Sequence, residues 1–126
     1  MRAIEAKTVN LDTHMLVFAL AGELTQGERR TLDGSVWSIS AIVFWELAML
    51  VRRRRIELDL DEPALLRRLS ILLVWPLDIA VCIQSTRLDF KGDPADELIA
   101  ATSVVHGVPL MTRDARIRRS RMVPLA

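Results

Sequence analysis

The chain has 126 residues, 51% of them hydrophobic, and can therefore bury the core of one domain without a disulfide, which its single cysteine excludes in any case. Its longest apolar run covers residues 15–21, too short to span a membrane, and its first residues lack the apolar stretch of a signal peptide, so we expect a soluble cytoplasmic protein. Seventeen basic and 16 acidic residues leave a net charge of +1, so net charge by itself indicates no class of partner.

Short apolar segments alternate with segments of helical pattern along the chain. In chain order we predict a strand at 8–11, a helix at 13–20, a polar loop with a short helix at 22–34, a strand at 36–39, a helix at 41–55 capped by Ser40, a helix at 61–72, a strand at 74–77, a helix at 78–88, a loop at 91–94, a helix at 95–106, a strand at 108–111 and an edge strand at 122–125. Pro76 indicates an edge position or a strand end. This alternation predicts an α/β fold, a three-layer α/β/α sandwich with a mainly parallel sheet of four to five strands, in a single domain over residues 1–126.

Functional sites of parallel sheets form beyond the carboxyl ends of the strands. Four acidic residues stand near such ends of the predicted strands. Asp12 directly follows the first strand, and Asp114 follows the strand at 108–111. Glu46 lies on the helix after the second strand, and Asp96 on the first turn of the helix before the strand at 108–111. We therefore expect the four side chains to converge at one end of the sheet.

Glu46 is the only charged residue between positions 41 and 51. A helix that is apolar on all sides is normally buried, and an isolated buried carboxylate is costly unless a cation or an arginine compensates it. The alternatives are a buried ion pair with arginine and a carboxylate that reaches solvent at the helix edge.

Each of the other acids has an ordinary structural explanation. Asp12 could cap the helix that begins at Thr13. The order of Asp93, Pro94 and Asp96 resembles the start of a capped helix with a capping box, and Asp114 could close a turn. As a group, however, the carboxylates would repel one another unless a divalent cation neutralised them, and all-oxygen ligands favour Mg²⁺ or Mn²⁺ over zinc. Such ions commonly catalyse the hydrolysis of phosphodiesters.

Other side chains give weaker signals. Arginines form a run at 52–55 and crowd positions 113–121, which is compatible with phosphate binding or with a solvated helix end and a polar tail. We expect the two lone histidines to be structural or exposed, and the single cysteine and three tryptophans, all flanked by apolar residues, to lie in the core. These residues are His14, His106, Cys82, Trp37, Trp45 and Trp75.

Three motifs resemble the PIN-domain ribonucleases, and specifically their VapC-like toxin branch. They are LDTH at 11–14, SAIVFWELAM at 40–49 and DPADELIAATSVVHGVPLMTRDARI at 93–117. Their order and spacing agree with the family over essentially the whole chain. The resemblance implies a metal-dependent endoribonuclease, with Mg²⁺ or Mn²⁺ as cofactor, RNA as substrate, an antitoxin protein that occludes the site, and frequent homodimers.

The resemblance also assigns residues. It places the catalytic acids at Asp12, Glu46, Asp96 and Asp114, and the metal ligands among them at Asp12, Asp96 and Asp114. Asp93 matches a supporting acid. The hydroxyls beside the acids, which we expect to contact substrate, are those of Thr13 and Thr112.

Two positions depart from the family pattern. Glu97 stands where a basic residue usually follows the third acid, and residues 88–92 lack the histidine often found there. A rival hypothesis is therefore a catalytically silent module that binds an antitoxin or nucleic acid. A phosphoacceptor or phosphatase domain is a further alternative. Asp12 would serve as its nucleophile, but the strand-end lysine of such domains is absent from the later strands.

Overall fold

The computed structural model describes residues 6–126. The strands are β1 (Thr8–Leu11), β2 (Val36–Ser40), β3 (Leu73–Trp75) and β4 (Leu110–Met111). The helices are α1 (Thr13–Ala21), α2 (Gln26–Leu32), α3 (Ile42–Arg52), α4 (Pro63–Ser70), α5 (Ile79–Ser85), α6 (Pro94–His106) and α7 (Ala115–Arg118). The predicted order of strands and helices up to residue 111 is confirmed, with different boundaries at several ends, whereas α7 was not predicted.

The sheet has the strand order β3-β2-β1-β4, and every neighbouring pair runs parallel. In this register Leu11 of β1 stands beside Ile39 of β2 and Met111 of β4, so these three strands end at the same edge of the sheet. Strand β3 is an edge strand that ends directly before Pro76, as the proline indicated. The helices flank this sheet, and the predicted α/β fold is confirmed.

The core lies between the sheet and its helices. Leu11 and Ile39 from the strands, together with Ile99 and Ala100 from α6, are fully buried. The buried amide of Asn10 joins β1 to α6, because its Nδ2 donates to Ser103 Oγ at 2.9 Å. Helix α6 is therefore fixed directly on the strand that precedes Asp12. Within residues 6–126, no helix has the length and apolar character needed to cross a membrane.

Helix α3 differs from its prediction at both ends. Ser40 is the last residue of β2 and not the helix cap, which falls on Ala41 without a side-chain hydrogen bond. The helix ends at Arg52 and does not continue to Arg55, because Arg54 adopts a left-handed backbone conformation with φ of 55°. The run of arginines thus forms the end of α3 and the turn after it.

The tail and several apolar side chains also differ from expectation. Residues 122–125 do not form a strand; Leu125 makes a single parallel bridge to Leu110. The predictions that Cys82 and Trp45 lie in the core are wrong, since Cys82 is exposed and Trp45 is 56% exposed. One face of α3 therefore meets solvent. Of the other aromatic side chains, Trp75 is half-buried and stacks on His106 with ring centroids 4.2 Å apart.

Candidate active site

Asp12 lies where β1 ends beside β4, and it is only 6% exposed. Its Oδ1 accepts a hydrogen bond from the Met15 backbone N–H at 2.8 Å, so it caps α1 as one reading of the sequence suggested. Its Oδ2 accepts from the hydroxyl of Thr112, which directly follows β4. The carboxylate is therefore oriented by two strands and one helix.

Thr112 connects this acid to a second one. Its hydroxyl oxygen accepts from the Asp114 backbone N–H at 3.0 Å while the hydroxyl hydrogen is donated to Asp12. Asp114 in turn caps α7, because its Oδ1 accepts from the backbone N–H groups of Arg116 at 2.8 Å and Ile117 at 3.1 Å. The turn that follows β4 thus places Asp114 and Asp12 on the same side of the sheet edge.

Glu46 reaches the same region from α3. It is half-buried, and the hydroxyl of the buried Thr13 donates to its Oε1. Glu46 forms no ion pair with an arginine in residues 6–126, so the buried ion pair suggested for it is absent, whereas its half-exposed carboxylate is compatible with one that reaches solvent at the helix edge. The hydroxyls of Thr13 and Thr112 both point at carboxylates, which gives them a positioning role, and their contact with a substrate stays a prediction.

Asp93 and Asp96 stand at the start of α6. Asp93 caps this helix, since its Oδ1 accepts from the Asp96 backbone N–H at 2.9 Å, and Pro94 occupies the first turn. The preceding loop is tied to α7, because Arg116 Nη1 donates to the Lys91 carbonyl oxygen at 2.6 Å. The segments that carry Asp96 and Asp114 are therefore joined directly.

These acids line one cleft of about 260 Å³ at the carboxyl edge of the sheet. Its walls bring together all four acids that the sequence singled out, the supporting acid and four further residues. The lining residues are Asp12, His14, Met15, Phe18, Glu46, Asp93, Asp96, Arg113 and Asp114.

Three carboxylates in this cleft, those of Asp12, Glu46 and Asp96, have raised pKa values. The pKa of Asp96 is raised to about 7, mainly by burial and in addition by the negative charges of Asp93, Glu46 and Asp114. Burial is also the main cause that raises the pKa of Asp12 and of Glu46, although their hydroxyl partners oppose it. Negative charge is thus crowded into a partly desolvated space, an arrangement that a bound cation would relieve.

The side chains fit a hard divalent cation held partly through water. Within residues 6–126, no three carboxylate, imidazole or thiol side chains stand close enough to form a complete metal centre. Mg²⁺ ordinarily keeps several of its waters and uses only one or two protein carboxylates directly, so a complete preformed centre is not required. In the described part of the chain, Glu46 Oε2 and Asp114 Oδ2 accept no hydrogen bond and remain available to a cation or its waters.

Sequence reasoning grouped Arg113 only with the C-terminal arginines, but the structure places it in the wall of the cleft. The sequence could have indicated this place, because Arg113 stands directly before Asp114, one of the predicted site acids. His14 is exposed, as expected of a lone histidine, and it also lines the cleft.

Comparison with known proteins identifies the family. The family model described as PIN domain matches residues 9–121. Ribonuclease VapC22 from Mycobacterium tuberculosis (strain ATCC 25618 / H37Rv) is 32% identical over 121 residues, covering 90% of this chain and 92% of the relative.

Solved structures share the fold. VapBC2 from Rickettsia felis, bound to a DNA fragment from its promoter, superposes with a TM-score of 0.72 at 19% identity, covering 94% of this chain and 97% of that one. A toxin–antitoxin complex from Klebsiella pneumoniae gives a TM-score of 0.68 at 19% identity, covering 88% and 90%. Because the family model spans most of the sequence and the relative is similar over nearly its full length, the chain belongs to the PIN domain family.

Proposed function

We propose that this protein is a metal-dependent endoribonuclease and the toxin of a toxin–antitoxin pair. The observation that carries the proposal is the cleft whose walls bring together five carboxylates from four parts of the chain. The similarity to a protein named a ribonuclease supports RNA as the substrate. Hydrolysis of a phosphodiester needs charge neutralisation at the phosphate, which a cation in this cleft would supply.

In this proposal Asp12, Asp96 and Asp114 hold Mg²⁺ or Mn²⁺, partly through the waters of the ion, and Glu46 completes the site. The bound ion would supply Lewis acidity and activate water for attack on phosphorus. Thr112 keeps Asp12 aligned by its hydrogen bond, and Thr13 does the same for Glu46.

Asp93 supports the site from the start of α6. Its carboxylate holds the first turn of the helix, and with it the backbone of Asp96, in place. Asp93 therefore acts as a supporting acid through this cap.

We further propose an antitoxin protein as partner, a homodimer as the assembled form and the cytoplasm as the site of action. The partner proposal draws on the fold shared with a toxin–antitoxin complex. Exposed apolar side chains on α3, among them Phe44 and Trp45, offer surface for association with another chain.

The direct test of the activity is cleavage of a cellular RNA pool by the purified protein, with and without removal of divalent ions. We expect cuts in the presence of Mg²⁺ or Mn²⁺ and their loss in EDTA, with recovery when the ion is restored. Cleavage of equal extent in EDTA would contradict the metal requirement. No cleavage of any RNA by the folded, partner-free protein would favour the silent binding module.

The metal site can be tested without activity through Asp96→Asn. Because this change removes one of the crowded negative charges, we expect the variant to have a higher melting temperature than the wild type in EDTA. Mg²⁺ should raise the melting temperature of the wild type and raise that of the variant much less. Thermal denaturation measures both. Equal Mg²⁺ stabilisation of the two proteins would remove Asp96 from the ligand set.

A further inference from the structure

RNA is a polyanion, and the cleft that it would have to approach carries five carboxylates in its walls. Positively charged side chains in the same walls are therefore candidates for binding its phosphates. Of the lysine and arginine side chains in residues 6–126, only Arg113 lines the cleft. The other arginines of the same segment, including Arg118 and Arg119, stand outside the cleft wall. Arg113 is thus the positive side chain that an entering phosphate would meet first beside the acids.

The guanidinium of Arg113 is held in one place by three hydrogen bonds and by stacking on an aromatic ring. Its Nε donates to Glu28 Oε2 at 2.9 Å and its Nη2 to Glu28 Oε1 at 2.7 Å, which is the paired geometry of a strong arginine–carboxylate contact. Nη2 also donates to the Glu23 carbonyl oxygen at 3.2 Å. The guanidinium carbon lies 4.0 Å above the centre of the Phe18 ring, which itself lines the cleft.

Glu28 is fixed in turn by the start of α2. It forms a capping box with Thr25, accepting from the Thr25 backbone N–H at 2.8 Å while the Thr25 hydroxyl accepts from the Glu28 N–H. The hydrogen bonds from Arg113 are the main cause that lowers the pKa of Glu28 to about 2, so the carboxylate remains charged at neutral pH. The start of α2 therefore holds Arg113 through the Nε and Nη2 atoms of its guanidinium.

This arrangement leaves one end of the guanidinium available. Arg113 Nη1 donates no hydrogen bond to any residue between 6 and 126, and the side chain is 41% exposed. If stability were its role alone, an ion pair this exposed would contribute little, because solvent screens it. A preoriented guanidinium with unused donors beside an acidic cleft is the geometry that binds a phosphate.

We propose that Arg113 binds a phosphate group of the RNA substrate at the rim of the cleft, and that Glu28 and Phe18 hold its guanidinium in position. The proposal rests on the nuclease function proposed above and adds a substrate-binding residue to it. Glu28 acts only through Arg113 and is a positioning residue.

The test compares Arg113→Met with Arg119→Met, an exposed arginine of the same segment that does not line the cleft. We would measure kcat/KM for a short single-stranded RNA in Mg²⁺ over a range of salt concentrations. We expect Arg113→Met to lower kcat/KM roughly tenfold to a hundredfold, the effect of losing a hydrogen bond to a charged group. The slope of log kcat/KM against log salt should also become shallower by about 0.7, as for one lost phosphate contact on single-stranded nucleic acid. Arg119→Met should change neither.

Two further variants separate binding from structure. Arg113→Lys should keep the salt slope, because the charge remains, and lose part of kcat/KM, because the fork geometry is gone. Glu28→Gln should also keep the salt slope, because Arg113 and its charge remain. It should raise KM more than it lowers kcat, because the guanidinium of Arg113 is then less restrained. Binding of Mn²⁺ alone should not be weakened in any of these variants, because none of them removes a carboxylate of the cleft.

The outcomes distinguish this proposal from the one on which it rests. Cleavage by the wild type with an unchanged salt slope in Arg113→Met would overturn the role of Arg113 and leave the nuclease intact. An equal change of slope in Arg119→Met would overturn it as well, because the effect would then reflect general charge. Absence of cleavage by the wild type would refute the nuclease and this assignment with it.

Discussion

Replacing Asp12 with asparagine should lower the rate of RNA cleavage by on the order of 10² to 10³-fold. The change removes the negative charge of the most buried acid in the cleft while keeping the shape of the side chain. Asparagine still offers an oxygen to the Met15 N–H, so the cap of α1 survives. The loss therefore falls on metal binding and catalysis, while the fold is retained.

The measurement is the initial rate of cleavage in Mg²⁺, together with circular dichroism of both proteins. Asp33→Asn is the matched control, because Asp33 is exposed at the end of α2 and does not line the cleft. We expect wild-type activity from this control. Full activity of Asp12→Asn with an unchanged fold would refute the site assignment.

Replacing Ile99 with alanine should reduce the free energy of unfolding by about 2–5 kcal/mol. Ile99 is fully buried in the middle of α6 and belongs to the core cluster between this helix and the sheet. Alanine loses the transfer free energy of the removed carbons and leaves a cavity that rigid neighbours cannot fill. Because α6 also carries Asp96, this packing supports the site as well as the fold.

Urea denaturation of the wild type, Ile99→Ala and Ile99→Val measures the effect. The valine variant removes one methylene group and should cost only about 0.5–1.5 kcal/mol. Val105→Ala on the same helix is a surface control, since Val105 is 37% exposed, and it should change stability much less. A loss below about 1 kcal/mol for Ile99→Ala would mean that α6 does not pack on the sheet as described.

The sequence by itself determined the succession of strands and helices and the caps that begin several helices. Asp12 and Asp93 cap helices, which is one of the roles that their positions allowed, and Asp114 caps the short helix α7, which the sequence did not predict. These features depend on residues only a few positions apart, so a local pattern contains the information needed to predict them. The position of the acids after strand ends also followed from sequence, because parallel strands present their carboxyl ends at one edge.

Only the tertiary structure decided which side chains meet at that edge. The hydroxyl of Thr112 contacts Asp12 across 100 residues, and Arg113 contacts Glu28 across 85 residues. No local pattern encodes such pairs, because they depend on the order of strands in the sheet and on the packing of helices over it. The same reason explains the errors at Trp45 and Cys82. An apolar stretch predicts a helix or strand, but the neighbours available in the fold determine which of its faces is buried.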